Sequence, residues 1–143
     1  MKLSSFLIPG ILITTVVAGL SCSKSNNGKP QVSIKSINTD IPKGGGLDAN
    51  LKFTSGNTLD TLIIIRTRVN QIPPQNPLSG DTLGISLPDY SASKGELEFT
   101  QPFTYLSYGD NANDTLVFKF IVFDVKGQRS DTATSPKVVI HNL

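Results

Sequence analysis

The chain has 143 residues, 38% of them hydrophobic and 17% charged, with 13 Lys and Arg against 11 Asp and Glu for a formal net charge of +2. That near-neutral balance, with no block of basic residues, lacks the electrostatic footprint of a nucleic-acid-binding protein. One histidine, one cysteine and no tryptophan leave little for metal or nucleophilic chemistry, since a zinc site draws on several His or Cys ligands.

At the N-terminus, Met1-Lys2-Leu3 carries one positive charge and leads into Phe6 to Leu20, an apolar run broken by Pro9-Gly10 and Thr14-Thr15. The run is about 15 residues, whereas a helix that spans a bilayer takes roughly 20. It reads as a cleaved secretory signal, and nothing after Leu20 approaches a second hydrophobic span. An exported chain with a single cysteine closes no internal disulfide, so Cys22 is either a spare thiol or one that is used chemically. Gly19 and Ser21 flank Leu20 just before it, at the end of the apolar run where a signal peptidase cuts, and the polar "SKSNNGKP" follows as a flexible tether.

The stretch "LSCSKSNNGK" resembles the processing region of bacterial lipoproteins, particularly those of the Bacteroidota. The resemblance implies that Cys22 becomes the lipid-modified first residue of the mature protein, bearing acyl chains such as palmitate. One departure is that the common lipobox has Leu three places before the cysteine, where this chain has Gly19, with Leu20 one step closer. Several acyl chains on one cysteine make attachment durable, because each buried methylene contributes roughly 0.8 kcal/mol. Removing residues 1–21 takes away Lys2 alone, so the mature charge is +1, from 12 Lys and Arg against 11 Asp and Glu. Surface-exported lipoproteins of the resembling group carry acidic residues soon after the cysteine, and "SKSNNGK" has none, which points to an outer membrane lipoprotein facing the periplasm. The chain thus divides into a signal peptide (1–21), a polar tether (22–30) and a single domain (31–143), a length typical of one domain.

Within that domain the periodicity is that of strands. "QVSIKSI" opens it, and "GGLDANLKFTSG" then places Leu47, Ala49, Leu51 and Phe53 on one side against Asp48, Asn50, Lys52 and Thr54 on the other. "TLIIIRTRV" is apolar at nearly every position, as is "DTLVFKFIVFD", the pattern of central strands covered on both faces. Between them, "GDTLGISLPDY" alternates through Leu83, Ile85 and Leu87, and "GELEFTQPF" through Leu97 and Phe99 with Glu96 and Glu98 opposite. "KVVIHN" closes the chain. β-Branched and aromatic content argues against helix throughout. About seven strands with turn-rich separators such as "PKGGG", "SASKG" and "YGDNAND" predict an all-β, antiparallel β-sandwich.

The ending "FKFIVFDVKGQRSDTATSPKVVI" resembles the last two strands of immunoglobulin-like, cadherin-like and fibronectin type III-like domains of bacterial surface proteins. There an "x-V-x-D-x-x-G-N-x-S" turn joins the strands. Val122, Asp124, Gly127 and Ser130 match it, and Gln128 stands where Asn is common. The resemblance implies architecture, an immunoglobulin-like sandwich, and no molecular activity. Gly127 supplies a positive φ and Asp124 accepts backbone N–H bonds across the bend, which by itself accounts for both residues.

Candidate chemistry is sparse. His141, two residues from the C-terminus, reads as an exposed strand end. Glu96 and Glu98 share a strand face that alternation turns to solvent, against a glycosidase pair. Asp110 and Asp114 in "GDNAND" are the oxygen ligands a calcium ion would use, but Ala112 interrupts the alternation and Asp, Asn and Gly also make plain turns. Sugar stacking would draw on Tyr90, Phe103, Tyr105 and Tyr108; in "PFTYLSYG" an extended reading puts Phe103 and Tyr105 on one face and Leu106 and Tyr108 on the other, so no single platform follows. The loop from Asn70 to Asp81 holds three prolines that limit its freedom, and its Ile72 and Leu78 either meet a protein partner or fold over a sheet edge.

The expectation is therefore a lipid-anchored envelope lipoprotein, without a cofactor, acting as a non-enzymatic binding or structural module. Its partners would be the membrane through the lipid and an envelope protein or glycan. A carbohydrate-binding accessory lipoprotein is the alternative, and a small hydrolase the third.

Overall fold

The computed structural model describes residues 28–70, 81–109 and 113–143, with only the backbone of 88–90. Cys22, Ile72, Leu78 and Asp110, together with the segments expected to be a signal peptide and most of a tether, lie outside the described residues.

Alternating side chains place β1 (Gln31–Ile37), β3 (Gly46–Thr54) and β6 (Lys94–Pro102) in one antiparallel layer, ordered β1-β3-β6. A second layer runs β2 (Asp40–Ile41), β9 (Val138–Ile140), β7 (Asp114–Asp124), β4 (Leu59–Arg68), β5 (Thr82–Tyr90), with β8 (Ala133–Thr134) also on β7. The seven stretches predicted as strands all form, and the short β2 and β8 add to them. The N-terminal segment switches layers: β1 pairs antiparallel with β3, and after Asn38 and Thr39 β2 pairs parallel with β9. This is an immunoglobulin-like β-sandwich, in which β9, β7, β4 and β5 stand in the places of strands G, F, C and C′ and β1, β3 and β6 in those of A, B and E.

The core lies between the layers. Leu47, Leu51 and Phe53 of β3 and Leu97 and Phe99 of β6 meet Leu62 and Ile64 of β4 and Leu116, Phe118, Phe120 and Val122 of β7, all buried. The rings of Phe99 and Phe120 pack edge to face across the layers, centroids 6.2 Å apart, the geometry that the ring quadrupole favours. Each such side chain taken fully out of water stabilises the fold by roughly 1.5–3 kcal/mol.

The double-sided apolar pattern of β4 and β7 has a different cause from the one expected. Both strands are central within their sheet, but among the described residues no third layer covers the outer face. Ile63, Ile65, Val117 and Phe123 are half-buried there, each beside a cross-strand partner in the same sheet: Ile63 stands opposite Ile121, Ile65 opposite Lys119, Val117 opposite Thr67 and Phe123 opposite Thr61.

The turn after β7 forms as its residues dictate. Gly127 takes φ 74°, and Asp124 Oδ1 accepts the N–H of Lys126 at 3.0 Å and of Gln128 at 2.8 Å. Ser130 Oγ accepts the Val122 N–H at 3.0 Å, so the turn is bound back onto the strand it follows. This turn, the start of β1 and the Ser55–Thr58 and Ser91–Ser93 connections share one end of the sandwich, here the basal end. The ends of β4 and β6 and the starts of β5 and β7 make the opposite, distal end.

Candidate functional site

At the distal end the apolar alternation of β4 gives way to arginine. Arg66 and Arg68 lie two residues apart and so continue the core face of Leu62 and Ile64. Their guanidinium carbons stand 4.8 and 5.0 Å from the ring centroid of Tyr108, a cation–π arrangement that closes the end of the core. Arg66 donates to Asp81 Oδ1 from Nη2 at 2.8 Å and from Nε at 3.3 Å, and the Tyr108 hydroxyl donates to the same oxygen at 3.0 Å. Arg68 Nη2 lies 2.6 Å from Oδ1 of Asp114, which is fully buried. Asp114 Oδ2 in turn accepts the Tyr108 N–H at 3.1 Å and Asn142 Nδ2 at 2.8 Å. A buried carboxylate persists only with such compensation. Burial pushes the Tyr108 hydroxyl above its usual pKa against the opposing pull of Arg66, which keeps it a hydrogen-bond donor. Each carboxylate is matched to its own arginine, so the cluster braces β4, β5, β7 and the C-terminal segment.

Beside it a cavity of about 610 Å³ opens between the edge strands β5 and β6. It exists because the smaller layer ends at β6 and, among the described residues, no further strand closes the gap towards β5. Ile64 and Phe99 line its inner wall, the Arg66–Asp81 pair its distal end, and Thr100 and Gln101 one rim. Leu83 and Tyr105, respectively 44% and 64% exposed, also line it. The combination of an apolar wall with a few placed polar groups is that of a ligand site, and the volume falls in the usual range of about 300–1,000 Å³.

The predicted site residues separate in space. Tyr105 lines the cavity, whereas Tyr108 does not and its ring is engaged by the two arginines. Tyr90 pairs through its backbone with Leu59 on β4, towards the basal end. The extended reading of "PFTYLSYG" is corrected: Pro102, lacking an N–H, ends β6, and Phe103–Tyr105 form a 3₁₀ turn closed by the Leu106 N–H on Phe103 O at 2.9 Å. Leu106 is thereby driven into the core. Asp114 is committed to Arg68, and among the described residues no group of three His, Cys, Asp or Glu side chains converges as a metal site would. Glu96 faces solvent as expected, and Lys35 Nζ at 2.6 Å holds its carboxyl below the usual range.

His141 is not a loose end. Its Nε2 lies 2.6 Å from Asp40 Oδ1 and its Nδ1 3.3 Å from Asn113 Nδ2, so it ties β9 to β2 and to the start of β7. Asp81, Arg66 and Arg68 carry the distal end yet were not among the expected site residues. Their signal in the sequence is the pair of arginines at alternate positions directly after the apolar run of β4, on its core-facing side.

No protein-family model matches the chain, and no curated protein is significantly similar to it. Among solved structures, it is similar to a Niemann-Pick type C2 protein from the Japanese carpenter ant, with 12% identity and a TM-score of 0.44, over 79% of this chain and 95% of that one. The fold assignment stands on strand order and register and draws nothing from that likeness.

Proposed function

We propose that the protein is a lipid-anchored binding module of the cell envelope, held through Cys22, whose ligand enters the distal cavity and undergoes no chemistry there. The observation that carries this reading is placement. The first described residue, Gly28, packs on Gly56 at the basal end, its carbonyl accepting the Gly56 N–H at 3.1 Å, while the cavity lies at the distal end. Six residue steps lead from Cys22 to Gly28, and a chain of that length spans at most about 20 Å. An anchor at Cys22 therefore sets the basal end against the membrane and turns the cavity away from it. Non-catalytic binding is supported by the neutralised carboxylate, since among the described residues Asp81 is the one acid lining the cavity and Arg66 holds it at 2.8 Å.

Sugar stacking gains no support from a platform of tyrosines, because Tyr105 lines the cavity and Tyr108, engaged by Arg66 and Arg68, does not. The test has two arms. Intact mass of protein taken from native membranes, beside Cys22→Ser, reports the anchor: loss of residues 1–21 with an acyl-sized addition absent from the variant is expected, and an unmodified chain rejects it. A photo-crosslinking benzoylphenylalanine in place of Tyr105, compared with the same group in place of Lys35, exposed on β1 and outside the cavity lining, reports the binding role. Adducts in native envelopes at position 105 alone are expected, and their absence from both positions rejects a ligand-binding module.

A further inference from the structure

A strand at the rim of a sheet offers a row of unpaired N–H and C=O groups, and proteins blunt such rims with charge, bulges, proline or brevity. Three of the four rims here are blunted. β1 carries Lys35 at a register break between Ile34 and Ser36. β2 has two residues, and β6 bears Lys94, Glu96 and Glu98 and ends in Pro102. β5 is the exception over most of its length: from Thr82 to Leu87 it holds no charge and no proline, its register with β4 runs unbroken from Thr82 to Ser86, and the register break, Pro88 and Asp89 come only towards its end. Its sole strand partner among the described residues is β4, and no backbone hydrogen bond found outside the strand ladders reaches residues 82–87.

The unguarded rim is also the one that borders the cavity. Ile85 and Leu87 of β5 pack on the core, so Leu83, sharing their parity, points to the same side and lines the cavity. A strand added beyond β5 would continue that face over the opening. Its alternate side chains, roughly 7 Å apart, would descend towards Phe99 and Tyr105.

We propose that the β5 edge, residues 82–87, accepts an uncharged extended peptide of another polypeptide as an added strand, with alternate apolar side chains of that peptide seated in the cavity between β5 and β6. The proposal rests on the binding-module reading and names its ligand class. The neutral edge and the internally compensated Arg66–Asp81 pair match an uncharged segment. A backbone is the one ligand that satisfies a backbone edge along its length. A second copy fits less well, because symmetric pairing of β5 with β5 would bring two cavities face to face, each still needing a side chain to fill it.

The experiment is amide hydrogen exchange, read by mass spectrometry on the full chain in detergent, with and without a blocked hexapeptide of alternating Thr and Val. Slowing of roughly tenfold or more confined to peptides covering 82–87 is expected, lost in Leu83→Lys, which puts a charge at the cavity, and weakened in Tyr105→Ala, which keeps the edge and removes part of the wall. Both side chains are exposed enough for the variants to fold, checked by an unchanged urea midpoint. Protection that instead maps to β6, that survives Leu83→Lys, or that never appears overturns the proposal. So does protection that arises without peptide and grows with protein concentration, the mark of a second copy. Crosslinking at position 105 in native envelopes combined with an unresponsive β5 edge would leave a binding module whose ligand is not a strand.

Discussion

The polar residues that the fold buries are those that govern it at the residue scale. Asp124 is 2% exposed, and its carboxylate accepts the Lys126 and Gln128 N–H groups and Asn57 Nδ2, the last at 2.8 Å. Asp124→Ala strands these donors, and we expect a loss of about 2–3 kcal/mol, seen as a lower urea midpoint at unchanged slope. Arg68→Met leaves Asp114 buried without its cation. A loss of about 3–5 kcal/mol is expected by the same measurement, recovered only in part when Asp114→Leu is added, because Leu leaves the Tyr108 N–H and Asn142 Nδ2 without their acceptor. Tyr108 has a definite pH signature. Its pKa is raised in the folded state by burial, so the native form holds the proton more tightly than the unfolded chain. Its contribution is complete below the ordinary tyrosine pKa near 10 and is lost as pH climbs through the raised value. Unfolding midpoints measured from pH 8 to 11 should fall more steeply in the wild type than in Tyr108→Phe. Glu96 acts in the opposite sense: its lowered pKa supports the fold above about 4.5, and that support fades on acidification through the folded value.

Between elements, the decisive contacts are close approaches that side chains would spoil. A Cβ on Gly56 would lie 2.6 Å from the Gly28 Cα, so the β3–β4 connection and the end of the tether touch backbone to backbone. Gly56→Ala must push the segment around Gly28 away. Faster hydrogen exchange at the Gly56 amide, with the distal strands unaffected, is the expected outcome. Strand character was readable in the alternation of β3, β5 and β6, and the β7–β8 turn in Asp124, Gly127 and Ser130, because these depend on neighbours in the chain. The 3₁₀ turn at Phe103–Tyr105 was not, since an apolar-polar alternation through "FTYLSY" masks a bend whose cause is Pro102 together with the depth to which Leu106 is drawn. Nor did the outer-face isoleucines of β4 declare that neighbours in their own sheet, and not a third layer, would shelter them.

At the scale of the whole molecule, the proposed anchor rests on the position of Gly28, which lies at the end of the sandwich opposite the cavity. Cys22→Ser should therefore release the protein from membranes on fractionation while leaving its urea midpoint where it was, because residues 28–143 carry the entire described core. A shifted midpoint would mean that the lipid end contributes to the fold.

By itself the sequence determined the all-β class, the alternating strands β3, β5 and β6 and the turn after β7. All of these are properties of composition or of residues close in the chain, where sterics and alternation act locally. Only the tertiary structure decided that Arg66 and Asp81, 15 residues apart, share an oxygen with Tyr108, that His141 reaches Asp40 across 101 residues, and that the rims of β5 and β6 leave a cavity between them. Those facts depend on which strands lie beside which, and hydrophobic burial, being non-directional, sets strand order through the sum of all the contacts and not through any one segment.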